Sequence, residues 1–219
     1  MTSPLRVFIG YDPRQPVAYN VLQHSIIRQS SQPVSITPLV LSQLPIKRRG
    51  LTEFTYSRFL VPYLCGFRGA AVFMDADMVV RGDIAELFKL STSDAVSVMQ
   101  EQKRFERPSL MLFNCGACLR LTPEFIDDTT NSLFDFAWAP YVGSLPKEWN
   151  HCVGYAEPNP DAAVIHYTMG IPCWEETKDC EHASKWHEEA WRMTSSCSFQ
   201  DLMGKSVHVP NLANLQRNQ

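Results

Sequence analysis

The feature that most constrains this chain is its alternation of short apolar runs with stretches of helical period, the pattern of an α/β fold. Leu5 to Ile9 is an apolar run closed by Gly10, Tyr11, Asp12 and Pro13. From Pro16, the apolar positions Val17, Val21, Leu22 and Ile26 fall on one helical stripe. Val34 to Leu41 reads as a second strand, which Pro38 confines to an edge or a kink. "YSRFLVPYL" reads as a helix kinked at Pro62, and Ala70 to Met74 as a buried strand. "GDIAELFKL" predicts a short helical turn, Ala95 to Met99 a strand, and "LMLFNCGACLRL" one or two more. Thr122, Pro123 and Glu124 supply a hydroxyl cap, a proline at the first position and a first-turn acid, opening a helix expected to reach about Trp138. Asp161 to Tyr167 reads as a late strand, and Ala183, Trp186, Ala190 and Met193 as one face of a terminal helix. No repeat, linker or shift in composition divides the 219 residues, so one domain is expected, with residues from about 197 to 219 peripheral.

A net charge of −3 gives no electrostatic footprint for nucleic acid. The short basic cluster Lys47-Arg48-Arg49 reads as a solvated loop. No apolar run reaches the ~20 residues needed to span a bilayer, and "MTSPLRVFIGYD" lacks the features of a secretory leader. Seven irregularly spaced cysteines suggest a reducing, cytoplasmic setting. The C-x-x-C of Cys115 and Cys118, placed on a strand, would point its thiols to opposite faces, so packing is favoured over zinc or redox use.

The chemistry is concentrated in "GAAVFMDADMVVRGD", where an otherwise dry segment carries Asp75 and Asp77. Residues two apart on an extended chain face the same side, so the two carboxylates converge. Like charges in a partly dry place repel, and each needs a partner. Arg81 could neutralise one of them; a hard divalent cation would neutralise both. Ligands of open α/β sheets sit beyond the carboxyl ends of strands, where these residues are expected.

The surroundings of "VFMDADMVV" resemble the D-x-D nucleotide-sugar glycosyltransferases of the GT-A fold, in particular glycosyltransferase family 8. "RVFIGYD" resembles that family's opening strand and nucleotide-facing turn, and Arg58 in "YSRFLVPYL" matches a basic position facing the nucleotide sugar. "LFNCG" resembles its F-N-S-G element, "LPKEWN" its L-x-x-x-W-N segment, and "IHYTMGIPCW" its late H-F-x-G-x-x-K-P-W element. The resemblance implies a single Rossmann-like GT-A domain with a mixed, mainly parallel sheet. It implies transfer of a sugar from a UDP-sugar class of donor to an unidentified acceptor, with retention of configuration. It implies Mn²⁺ or Mg²⁺ on Asp75, Asp77 and His166, the imidazole tilting the choice toward Mn²⁺. Donor contacts are implied for Gly10, Tyr11, Asp12, Arg58, Ala76, Asn114, Gly116, Trp149, Asn150 and Gly170, with Asp75, Asp77 and Asn114 serving catalysis. The family's lysine falls at Pro172, leaving Lys178 or Arg81 to supply its charge. Asp127, Asp128 and Asp135 are loose candidates for the acidic residues between its later elements.

Two alternatives stand beside this reading. An apolar strand followed by D-x-D-x-V also fits a haloacid-dehalogenase-like phosphatase, with Asp75 as nucleophile, Asp77 as acid/base, Mg²⁺ as cofactor and Asp127-Asp128 as the later acidic pair. A non-catalytic GT-A-like domain that binds nucleotide sugar is the other. His24, His151, Trp138, Trp186 and Trp191 need no role beyond packing or exposure.

Overall fold

The computed structural model describes residues 3–194, and the expected peripheral tail lies outside them. In chain order the elements are β1 (Leu5–Gly10), α1 (Pro16–Gln29), β2 (Val34–Leu39), α2 (Val61–Leu64), β3 (Ala70–Met74), β4 (Met78–Val80) and α3 (Ile84–Lys89). They continue with β5 (Val96–Val98), β6 (Leu110–Asn114), α4 (Pro123–Asp127), β7 (Val142–Ser144), β8 (His151–Cys152), β9 (Val164–His166) and α5 (Ala183–Thr194). A six-stranded sheet of order β2-β1-β3-β6-β5-β7 forms the centre, and a small sheet of order β4-β9-β8 lies apart from it. The central sheet is mixed and mainly parallel: β1 pairs in parallel with β2 and β3, and β5 with β7, while β6 runs antiparallel to β3 and β5.

The clean apolar runs are explained by burial on both faces. Val7 and Ile9 of β1, Val72 and Met74 of β3, and Leu110 and Leu112 of β6 enter one apolar cluster with α1, the small sheet and Trp186. The alternate residues Phe8, Ala71, Phe73, Met111 and Phe113 enter the other, with Phe59, Trp138 and Ile126. Successive side chains on a strand point to opposite faces, so a strand covered on both sides has no polar positions to show. Pro38 does lie on an edge strand, opposite Ile9. On α1 the buried stripe runs through Ala18, Val21, Leu22, Ser25 and Ile26, and Val17 is exposed.

Other expectations are corrected. Pro62 does not kink a helix: Ser57–Leu60 forms a 3-10 turn and Pro62 opens the α-helical turn that follows, where a missing N–H costs nothing. Thr122 caps α4 by accepting from the Phe125 N–H, but the helix stops at Asp127 because Asp128 is extended (φ −69°, ψ 108°). The remainder folds as turns, with Phe136 left-handed (φ 55°) and Trp138 buried, its Nε1 donating to Leu133 O. Arg48 is not simply solvated. Its guanidinium lies 4.1 Å over the Tyr56 ring and donates to the carbonyls of Ile126, Asp128 and Asn131. Cys115 and Cys118 sit on and beside a 3-10 turn rather than a strand, and both are buried. The Cys118 thiol donates to Ala95 O and is pushed up to about 12 by burial. That holds it as the neutral thiol, unsuited to metal or redox work.

The terminal helix docks through the expected face, Trp186 being buried and Ala190 and Met193 packed against the core. An unexpected member is Glu189, buried, ion-paired with Arg28 (2.7 Å) and within hydrogen-bond distance of His24 Nδ1 (2.6 Å), both on α1.

Candidate functional site

The chain leaves β1 through α1 to reach β2 on one side, and later places β3 on the other side of β1. The carboxyl ends of β1 and β3 thus flank a point where the direction of winding reverses, the usual crevice for ligands in an open α/β sheet. Ile9 lies opposite Met74, so Gly10-Tyr11-Asp12 and Asp75-Ala76-Asp77 emerge side by side. A cavity of about 430 Å³ opens there, lined by Asp12, Arg14, Phe54, Ala76, Asp77 and Trp174 among others.

The third component arrives through the small sheet. Directly after Asp77 the chain enters β4, whose Met78 lies opposite His166 of β9, and Asp77 O accepts from the Tyr167 N–H. Ser25 of α1 fixes β4 by accepting from the Val80 N–H. As a result Asp75, Asp77 and His166 present ligand atoms within 4.8 Å of one another, with His166 Nε2 3.3 Å from Asp77 Oδ1. Asp75 Oδ1 and Asp77 Oδ1 are buried, and beyond the Arg58 and His166 nitrogens that face them at 3.0 and 3.3 Å neither meets a further hydrogen-bond donor. Buried carboxylate oxygens left in this state are costly unless something else neutralises them. Neighbouring ligand atoms of an octahedral ion with bonds of about 2.1 Å lie about 3 Å apart, so two carboxylates and an imidazole at these spacings suit a divalent cation.

Burial pushes the Asp75 carboxyl up to about 7 against the opposing pull of Arg58, and the nearby Asp77 charge adds to the rise. Burial alone would lower His166, but the charge and hydrogen bond of Asp77, with Cys152 behind, lift it well above the ordinary imidazole value. The cation facing Asp75 is Arg58 (Nη2–Oδ1 3.0 Å), which also donates to Phe54 O and Pro108 O and lies between the faces of Phe54 and Phe73. Arg81, expected as a possible neutraliser, instead donates to Pro160 O and Ala162 O.

Sequence reasoning missed the groups on the far side of His166. Its Nδ1 lies 3.6 Å from Cys152 Sγ and 3.8 Å from Glu106 Oε2, leaving Nε2 for the cavity side. Partners on the second ring nitrogen orient a ligating histidine. Arg14, also missed, forms a fork on Asp12 at the cavity wall (2.6 Å), and this hydrogen bond holds the Asp12 carboxyl below its usual value. No spacing in the sequence announces Glu106 or Cys152; the Asp12-Pro13-Arg14 turn was the only signal for Arg14.

The remaining expected residues divide. Gly10 borders the crevice, and a Cβ there would meet the Phe54 ring at 2.4 Å. Tyr11 packs edge-on against Tyr19 (5.4 Å between centroids). Gly170, at φ 109°, shapes the turn between His166 and Trp174. Asn150 is buried one layer behind, donating to Ser109 Oγ, and Ser109 O in turn accepts from the Asp75 N–H. Trp149 is part of the apolar core. Asn114 and Gly116 are not brought to the site. Asn114 lies opposite Ala70 and Leu110 opposite Met74, which sets Asn114 about 13 Å along β3 from the aspartate end. Lys178 pairs at the surface with Glu175 (2.6 Å), and Arg81 donates to Pro160 O. Asp127 accepts from the Lys47 and Arg48 N–H groups, Asp128 from Thr130, and Asp135 pairs with Arg104. The Asp127-Asp128 pair thus lies at a helix end with its own partners, not at a strand end as the phosphatase alternative requires.

The fold is that of the GT-A glycosyltransferases. It superposes on the bifunctional glycosyltransferase WbbM with a TM-score of 0.64 at 16% identity, covering 88% of this chain and 51% of that one. The glycosyltransferase GlyE of Streptococcus pneumoniae gives 0.64 at 16% identity over 86% of this chain and 60% of its own. The galactosyltransferase LgtC, solved with donor and acceptor sugar analogues, gives 0.59 at 11% identity over 90% and 99%. The chain therefore spans about half of WbbM and three-fifths of GlyE. At these identities the likeness defines the fold. In sequence the chain is 34% identical to Protein CDI of Arabidopsis thaliana over 227 residues, 85% of this chain and 86% of that protein. It belongs to the Protein CDI family. No protein-family profile matches it, and no helix among the described residues is long and apolar enough to cross a membrane.

Proposed function

We propose that the chain is a single-domain, metal-dependent glycosyltransferase that moves a sugar from a UDP-sugar class of donor to an acceptor hydroxyl, with retention and in a cytoplasmic setting. The observation that carries this reading is the convergence of the buried Asp75, Asp77 and His166 ligand atoms within 4.8 Å of one another, beside a cavity at the β1/β3 crevice that Asp77 lines. Asp75, Asp77 and His166 would hold Mn²⁺, or Mg²⁺, which when bound neutralises the charge that develops on a nucleoside diphosphate leaving group.

The chain's own residues provide the rest. Arg58 balances Asp75 and ties it to the carbonyls of Phe54 and Pro108, so the carboxylate is positioned before any ligand arrives. Cys152 and Glu106 orient His166 from behind. Tyr11, Asp12 and the half-exposed Trp174 offer aromatic faces and an acceptor to a nucleoside, and Gly10 gives Phe54 the room to form the wall. Arg14 is the basic side chain on that wall, a charge that can turn from Asp12 toward phosphate. The dry walls around Asp75 and His166 strengthen each of these interactions.

Pro172 at the family's lysine position favours a second reading, a domain that binds the donor without turning it over. Two measurements test both. UDP should raise the melting temperature only with Mn²⁺ or Mg²⁺ present, and Asp75→Asn or Asp77→Asn should abolish the rise. Release of UDP across a panel of UDP-sugars then distinguishes enzyme from binder. A UDP-induced rise that needs no metal, or survives both substitutions, overturns the proposal.

A further inference from the structure

On β8, His151 and Cys152 point to opposite faces of the small sheet. Cys152 faces His166, so His151 is directed away from the aspartate site, and there it meets Glu181 and His182. His151 Nε2 lies 2.9 Å from Glu181 Oε2, and His182 Nε2 lies 3.0 Å from Glu181 Oε1. The ligand atoms of all three residues fall within 4.8 Å of one another. We propose that His151, Glu181 and His182 form a second metal site, of the zinc class, independent of the donor-site reading.

Four features argue for it. Two imidazoles and one carboxylate are a donor set that favours Zn²⁺ over the hard ions suited to Asp75 and Asp77. Zn–N and Zn–O bonds of about 2.0–2.1 Å put tetrahedral ligand atoms about 3.3 Å apart, so the two histidine–carboxylate spacings need to open by only a few tenths of an ångström. His182 is left-handed (φ 61°), a conformation uncommon outside glycine, and it turns two consecutive side chains toward one point. Neither a helix nor a strand does that for neighbouring residues. Finally, the site has a backing and an entrance. The Asn159 N–H donates to Glu181 Oε1 and orients it, while His151 is 2% and Glu181 27% exposed, so an ion enters from the carboxylate side.

The ring nitrogen of His182 also faces Asn159 O at 2.9 Å. Metal on Nε2 takes the place of the proton shared with these oxygens, and the neutral imidazole then carries its proton on Nδ1.

The test uses Zn²⁺ alone, with Co²⁺ as its spectroscopic substitute, on chelator-treated protein carrying Asp75→Asn, Asp77→Asn and Cys152→Ser, so that neither the first site nor the Glu106–Cys152–His166 group behind it competes. Equilibrium dialysis should give one bound Zn²⁺ per chain, and Co²⁺ should show the intense visible bands of a tetrahedral site. Adding His151→Ala should abolish both. Glu181→Gln keeps acceptor and donor contacts and the fold, as circular dichroism will check, and should weaken binding at least tenfold. No stoichiometric Zn²⁺ in the silenced background, or binding unchanged by both further substitutions, would show these residues to be a hydrogen-bonded strut and overturn the proposal.

Discussion

Asp75→Asn in the metal-free protein should change how stability responds to pH. Asp75 has a pKa of about 7 in the fold against 3.8 for the ordinary side chain, burial being the main cause. Between those values the folded chain binds more protons than the unfolded one, so stability is full below the lower value and is lost as pH rises through the upper. At about 1.36 kcal/mol per pH unit, the loss reaches about 4 kcal/mol by pH 8, of which about 2–3 kcal/mol falls between pH 5 and pH 8. Asparagine has the same shape and cannot titrate. Asp75 interacts with His166, so the difference between the two proteins reports Asp75 together with the change it makes in His166. Thermal unfolding in chelator should show wild type losing roughly 5–10 °C more than Asp75→Asn between those pH values, at about 2–4 °C per kcal/mol for a chain of this size. Mn²⁺ should reverse the trend, stabilising wild type more at pH 8 than at pH 6. Parallel pH curves for the two proteins would refute the reasoning, because Asp75 would then be an ordinary, fully compensated partner of Arg58.

Two further outcomes follow from other contacts. Glu189→Gln should destabilise the fold by about 2–3 kcal/mol at pH 7 by leaving His24 and Arg28 without their shared carboxylate. Burial alone would raise the Glu189 carboxyl, but Arg28 and His24 hold it below 4.5, so this contribution is present above that pH and lost as pH falls through the lowered value. Melting temperatures of both proteins at pH 7 and pH 3 should therefore converge at the acid end. Gly10→Ala would put a methyl 2.4–2.8 Å from Phe54 and force that ring and its carbonyl, an acceptor for Arg58, to move. A fold weakened by about 1–3 kcal/mol and nucleotide affinity lowered at least tenfold are expected from unfolding and titration with UDP and Mn²⁺.

The parts of the fold that were legible in the sequence are those where one local pattern decided the outcome. Runs such as AAVFM read as strands and are covered on both faces, whereas the meeting of Asp75 and Asp77 with His166 was implied by the family resemblance and not by any local pattern. Misreadings arose where a distant contact decided instead. The helix opened by Thr122 was read too long because burial of Trp138 and the left-handed Phe136 follow from packing against Phe59 and Phe113, not from local propensity. Arg58 rather than Arg81 is the partner of Asp75 because its 3-10 turn leads into α2, which packs on β3, whereas Arg81 is drawn to the loop before β9. Asn114 carried the right letters at the wrong end of an antiparallel strand, a distinction that only register reveals. Glu106, Cys152 and the pairing of His151 with the consecutive Glu181 and His182 lie in no spacing pattern, since they are joined to their partners across intervals of 14 to 60 residues.

The joining of β4 to β9 has a consequence for the growing polypeptide. A ribosome delivers both aspartates early, but the imidazole that faces them is made some 90 residues later and is placed only when its strand pairs with Met78–Val80. Until then the acids have Arg58 and water, and the helix that clamps α1 from the far terminus is also missing. A nascent or prematurely ended chain would thus hold the recognisable D-x-D without the imidazole that faces it, and the three-residue cluster is assembled only after β9 has been made.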